Sequence, residues 1–113
     1  MKKLIMALFF VFALYAFSYA HPPSDIDISY NPVTRMLTAV ITHNVNDPQS
    51  HYIKKVDIGL NGQEIIEQNI SRQDNDITQT ISYRISDAKP GDILSVEAYC
   101  SISGTLKKEI RVS

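Results

Sequence analysis

The feature that most constrains the fold is the alternation of branched aliphatic residues with polar ones over short stretches. Residues 21–113 contain 14 Ile and 6 Val against 4 Leu and 3 Ala, a balance that favours strands over helices. Five stretches keep a period of two, which is typical of strands with one buried face. The alternating apolar residues are Ile26 and Ile28; Leu37, Ala39 and Ile41; Val56, Ile58 and Leu60; Ile77, Ile81, Tyr83 and Ile85; and Leu94, Val96, Ala98, Cys100 and Ile102.

Turn residues separate these stretches at regular intervals. The strongest signal is Asn61-Gly62, which predicts a hairpin between residues 53–60 and residues 64–70. We therefore expect about seven short strands, arranged as an all-β, immunoglobulin-like antiparallel β-sandwich. The other predicted turns are Asn31-Pro32, the polar loop 73–76, residues 89–92 and Ser103-Gly104.

The first 20 residues have the pattern of a secretory signal. Residues 1–3 are basic, residues 4–17 form a 14-residue apolar run too short to span a bilayer comfortably, and Ser18-Tyr19-Ala20 fits the small-x-small cleavage rule. The sequence predicts a signal peptide over residues 1–20 and one domain over residues 21–113, exported to the periplasm or the extracellular space. An uncleaved anchor is the alternative; after cleavage we expect no membrane association.

Charge and cysteine content exclude several classes of function. Removal of Lys2 and Lys3 with the signal takes the net charge from −1 to −3, which disfavours binding to nucleic acid. With one cysteine, the domain has no internal disulfide. No G-x-S-x-G, P-loop or H-E-x-x-H pattern is present. The oligomeric state is not indicated.

The residues that can carry chemistry are His21, His43, His51 and Cys100. Each lies near a predicted strand end, and strand ends of a sandwich gather at its poles, so the four side chains can form a mixed nitrogen and sulfur site for Fe, Cu or Zn. Cleavage after Ala20 would add the α-amine of His21. The alternatives are that Cys100 is a small core residue and that the imidazoles face solvent.

Four segments in the same order resemble the superoxide reductase (desulfoferrodoxin) family. Residues 51–57 (His-Tyr-Ile-Lys-Lys-Val-Asp) resemble its H-[HY]-I-x-x-I-E strand, and residues 99–104 (Tyr-Cys-Ser-Ile-Ser-Gly) resemble its Y-C-N-x-H-G segment. Residues 90–92 resemble its P-G-D turn, and residues 21–23 resemble its H-x-P. The family fold is an immunoglobulin-like β-sandwich.

The resemblance implies a mononuclear iron (Fe2+/Fe3+) that reduces superoxide with electrons from a donor. It implies His21 and His51 as equatorial ligands, Cys100 as the axial ligand, and His43 as a ligand if the intervening loop is two residues longer than in the family. Ser103 stands where the family has its last histidine.

An anion-attracting lysine is expected in this family, and Lys54 or Lys55 is the candidate for that role; both are alternatively solvated strand residues. Two other functions stay open. One is a non-catalytic module for copper or iron, and the other is a metal-free interaction domain of the same fold.

Overall fold

The computed structural model of the protein describes residues 21–113, so the predicted signal peptide, residues 1–20, lies outside the described part. The described residues form seven strands and no helix. The strands are β1 (Asp25–Asn31), β2 (Met36–Thr42), β3 (Ile53–Leu60), β4 (Gln63–Asn69), β5 (Thr78–Arg84), β6 (Ile93–Cys100) and β7 (Thr105–Arg111).

The strands pair into two antiparallel sheets that enclose one core. One sheet has the order β1-β2-β5 and the other has the order β4-β3-β6-β7. The predicted fold class, an all-β antiparallel sandwich of about seven strands, is confirmed. Between residues 21 and 113 there is no helix long and apolar enough to cross a membrane.

Alternation of the side chains places the apolar residues between the sheets. In β2 the residues Leu37, Ala39 and Ile41 have no exposed surface, and the intervening Thr38 and Val40 are partly exposed. Strand β6 contributes a second fully buried series from the opposite sheet. The other buried apolar side chains of the core are Ile26, Ile53, Val56, Ile58, Ile81, Ile85 and Val112.

Two isoleucines of the alternating pattern differ from the prediction. Ile77 is 53% exposed and Ile102 is 50% exposed, although their parity predicts burial. The reason is that β5 begins at Thr78 and β6 ends at Cys100, so both residues lie just outside the region where two sheets face each other.

The predicted Asn61-Gly62 hairpin is confirmed. Both residues have positive φ, +52° and +84°, as a two-residue turn with the twist of its flanking strands requires. The Asn61 side chain accepts a hydrogen bond from Ile93 N–H and donates one to Asp92. This turn therefore joins the β3–β4 hairpin to the start of β6 at one end of the sandwich.

The opposite end carries the candidate site. Antiparallel pairing makes β2 and β6 end there and β1 and β3 begin there. His43 follows β2, Cys100 ends β6, and His21 and His51 precede β1 and β3. We call this end, defined by those four residues, the histidine pole.

Candidate metal centre

His43, one residue beyond β2, and Cys100, the last residue of β6, continue the buried series of those two strands. The buried series Leu37, Ala39 and Ile41 continues by one step to His43, which has no exposed surface. On the opposite sheet the series ends at Cys100, which is 2% exposed. The alternation that builds the apolar core therefore also places an imidazole and a thiol at the end of the core that lies at the histidine pole.

The other two imidazoles come from segments that lead into strands. His51 lies two residues before β3, at the end of a turn in which its N–H donates to Asp47 O at 3.0 Å. His21 lies before β1 and is partly exposed. Its position depends on Pro22, which is in close contact with Gly104 in the loop that follows Cys100.

The three imidazoles form one compact group. The ring centroids of His21 and His43 are 4.9 Å apart, and those of His51 lie 4.8 Å from each of the other two. The ring nitrogens that can bind a metal all lie within 4.8 Å of one another. The Nε2 atom of His51 is also 3.1 Å from the Sγ atom of Cys100.

Gln73, a residue that the sequence analysis placed only in a polar loop, holds His43 in this group. Gln73 is fully buried. Its amide nitrogen donates to the backbone oxygens of His43 and Asn75, at 2.8 and 2.9 Å. Its Oε1 atom lies 2.8 Å from Nδ1 of His43 and also accepts the N–H of Ile53.

These contacts fix the tautomer of His43. The two backbone oxygens can only accept hydrogen bonds, so the amide nitrogen of Gln73 must face them and its oxygen must face the imidazole. An amide oxygen has no proton to give, so Nδ1 of His43 carries the hydrogen. Nε2 then has the free lone pair; it is buried and has no hydrogen-bond partner among the described residues.

Burial favours the neutral forms of His43 and His51. Burial is the main cause of the lowered pKa of His43; the charge of His21 also lowers it, and the side chain of Gln73 and the backbone of His21 act against this. Burial also lowers the pKa of His51, and His43 and His21 act in the same direction. Both rings therefore favour the neutral form, whose lone pair is available for coordination.

The spacing of the group fits a metal ion. Nitrogens bound at about 2.0–2.1 Å around a tetrahedral ion are about 3.3 Å apart. Closing the present group to that spacing moves each ring by less than about 1 Å, since its nitrogens already lie within 4.8 Å. The buried Nε2 of His43 has a lone pair that no hydrogen-bond donor among the described residues contacts, and coordination to an ion would satisfy it. The group of His21, His43 and His51 can thus hold a metal ion.

Cys100 is placed to extend this group. Its thiol is buried and touches His51. The N–H of Ile102 points to the same sulfur at 3.5 Å, and a donor of this kind stabilises negative charge on sulfur. The structure therefore brings together the three histidines that the sequence analysis selected and places Cys100 against one of them, His51.

Lys54 and Lys55 lie on the outer face of β3. A register shift in the β3–β6 pairing between Ile53 and Lys55 lets Ile53 and Val56 both face the core, so that the two lysines face outward. The Lys55 ammonium lies 3.7 Å from Asp57 and 3.4 Å from Glu67. Although partial desolvation lowers the pKa of Lys55, Asp57 and the other carboxylates nearby raise it overall.

Comparison with known proteins identifies no relative. The chain matches no protein family, and no curated protein is similar to it in sequence. The resemblance to superoxide reductases therefore stays a prediction.

Gly104→Ala tests how the loop after Cys100 positions His21. A β-carbon at Gly104 would lie 2.9–3.0 Å from atoms of Pro22, so we expect the segment that carries His21 to shift and metal affinity to fall about tenfold. Gly91→Ala is the matched control, because Gly91 has a similar φ of +92° but nothing within 4 Å of the added carbon. Equal affinities in the two variants would contradict the account.

The tautomer of His43 can be read directly by 15N NMR of the metal-free protein. We expect a proton on Nδ1 and a bare Nε2, because Gln73 offers only an acceptor to the ring. Gln73→Leu removes that acceptor, and the signals should then report a mixture of tautomers. Gln79→Leu is the control, since Gln79 is similarly buried but bonds to Asp74 and Thr80. A proton on Nε2 in the unaltered protein would contradict the assignment.

Proposed function

We propose that the protein binds a single transition-metal ion at the histidine pole. The imidazoles of His21, His43 and His51 and the thiolate of Cys100 are its ligands. The observation that carries this proposal is the buried Nε2 of His43, whose lone pair has no partner in the described part of the chain. Leaving such an atom unsatisfied costs roughly 1–3 kcal/mol, a cost that a bound ion removes.

A metal-free interaction domain accounts less well for this arrangement. Three imidazoles reach the pole from three separate segments, and each additional positive charge there would repel the others. A domain that uses only its surface for interaction has no need to bury His43 completely or to support it with a buried Gln73. Metal coordination explains all three features: the burial of His43, its hydrogen bonds to Gln73 and the close approach of the three imidazoles.

The ligand set is suited to iron and copper. Imidazole and thiolate bind both metals in proteins, and geometry and availability decide between them. The resemblance to superoxide reductases favours iron. The number of donors favours copper. The described residues offer three imidazoles and one thiolate at the pole, whereas the iron site implied by the resemblance has a fourth histidine, in whose place the exposed Ser103 stands.

Metal loading of the protein tests the proposed site. We expect one ion per chain and a rise in melting temperature of about 10 °C or more at a metal concentration 100-fold above Kd, where binding contributes about 2.7 kcal/mol. His43→Ala, His51→Ala and Cys100→Ser should each weaken binding, His43→Ala by at least about a hundredfold.

Glu67→Gln is the control for this experiment. Asp57, Glu64 and Glu67 are the other group of close metal-ligating side chains in residues 21–113, and the charge change at Glu67 should leave binding unaltered if the ion is at the histidine pole. Unchanged metal content in the His43 and His51 variants, with binding lost in Glu67→Gln, would place the ion elsewhere.

Superoxide reduction is the second candidate function. It is favoured by the sulfur of Cys100 beside His51, which reproduces the thiolate and imidazole combination that the resemblance implies. A bound Fe2+ would supply the single electron that converts superoxide, with two protons, to hydrogen peroxide, and an external donor would restore that electron. Export through residues 1–20 would place this activity in the periplasm or outside the cell.

The iron-loaded protein tests the second candidate. After anaerobic loading with Fe2+ and oxidation, we expect a visible thiolate-to-iron absorption band that is absent from Cys100→Ser, together with consumption of superoxide. A colourless oxidised protein that still contains one iron per chain would reject superoxide reduction and leave metal binding itself intact.

A further inference from the structure

The turn between β3 and β4, at the end of the sandwich opposite the histidine pole, carries a chemically reactive pair of residues. Asn61 is the one asparagine of the chain that a glycine follows. The other five asparagines precede Pro32, Val45, Asp47, Ile70 and Asp76. A glycine nitrogen can attack the side-chain amide of the asparagine before it with least obstruction, because glycine has no β-carbon.

The surroundings of the turn leave room for such a reaction. Asn61 and Gly62 are both exposed. A β-carbon placed on Gly62 would meet no atom within 4 Å beyond its chain neighbours. The space beside this peptide is therefore open to water.

Two side-chain hydrogen bonds to the start of β6 restrain Asn61. Its Oδ1 atom accepts Ile93 N–H at 2.9 Å, and its Nδ2 atom donates to Oδ1 of Asp92 at 3.1 Å. Asp92 is itself oriented by Lys89 N–H, which donates to its Oδ2 atom at 2.8 Å. Because both ends of the Asn61 amide are held by a neighbouring strand, its carbon can rotate toward the Gly62 nitrogen only when these contacts open.

We propose that Asn61 is a site of spontaneous conversion to aspartate and isoaspartate, at a rate set by the opening of its hydrogen bonds to Asp92 and Ile93. The Gly62 nitrogen bonds to the side-chain carbonyl carbon of Asn61, and its proton leaves with the amide group as ammonia. Water then opens the resulting cyclic imide at either of its carbonyl carbons. The inference does not depend on the proposed metal site.

The products no longer fit the turn. In the aspartate form a carboxylate oxygen takes the place of Nδ2, 3.1 Å from Oδ1 of Asp92, so that like charges face each other where a hydrogen bond was. The isoaspartate form routes the chain through the former side chain and so lengthens a turn whose twist depends on φ angles of +52° and +84°. Conversion of Asn61 therefore loosens the junction between the β3–β4 hairpin and β6.

Peptide mapping by mass spectrometry, after incubation of the protein at mildly alkaline pH, tests the proposal. We expect conversion at Asn61 and none over the same period at Asn69, which is also exposed but precedes an isoleucine. Asp92→Asn should raise the rate at Asn61 about fivefold, the factor that corresponds to the loss of one hydrogen bond. The reason is that the new side chain keeps its oxygen on Lys89 N–H and presents to Asn61 an NH2 group, which cannot accept a hydrogen bond.

Asp27→Asn is the matched control for the rate. It makes the same charge change at an exposed position of β1 and likewise places the new asparagine before an isoleucine. It should leave the rate at Asn61 unchanged. Conversion at Asn61 no faster than at Asn69, or equal rates at Asn61 in the Asp92→Asn and Asp27→Asn variants, would overturn the proposal.

Melting temperatures test the effect of conversion through Asn61→Asp, which mimics the aspartate product. This variant should lower Tm by about 4 °C or more, and by less at high salt, since the like charges are then screened. Adding Asp92→Asn exchanges donor and acceptor across the same contact, so we expect the double variant to melt above either single variant. A double variant whose loss of Tm equals the sum of the two single losses would contradict the proposed role of Asp92.

Discussion

Every second side chain of β2 and β6 points into the space between the sheets, and both strands end at the same pole. The last inward positions are therefore fixed by the same constraint that fixes the core. At those positions the sequence has His43 and Cys100 in place of aliphatic residues. Because His43 lies one residue beyond β2, its inward direction also depends on the hydrogen bond from its N–H to Ile77 O and on its contacts with Gln73.

Burial of an imidazole has a cost that the structure only partly offsets. Gln73 satisfies Nδ1 of His43, and it is itself oriented by two backbone oxygens and by the N–H of Ile53. Nothing among the described residues satisfies Nε2. Local departures of this kind from full hydrogen bonding concentrate at functional sites, and here the ring that carries the unsatisfied atom has two further imidazoles within 4.9 Å of it, centroid to centroid.

The strands and the main turn could be predicted because both depend on local pattern. Alternation locates the buried faces, and Asn61-Gly62 supplies the two positive φ angles that the hairpin needs. The approach of His21, His43 and His51 to one another, with Cys100 beside His51, could also be predicted, since antiparallel pairing sends alternate strand ends to one pole. For the strands and the turn, the sequence carries the information within one strand or one turn.

The features that could not be predicted depend on contacts between distant segments. Gln73 lies in an aperiodic loop, and only its approach to a histidine 30 residues away reveals its role. The outward direction of Lys54 and Lys55 follows from a register shift against β6 that alternation in β3 alone does not show.

The central claim is that one ion is bound by three imidazoles and one thiolate. X-ray absorption at the metal edge of the loaded protein tests it most directly, because nitrogen and sulfur neighbours differ in distance, at about 2.0–2.1 and about 2.3 Å for an ion such as zinc. The account predicts one sulfur neighbour per ion and the scattering pattern of three imidazoles. A shell made only of oxygen atoms, without sulfur or imidazole, would contradict it.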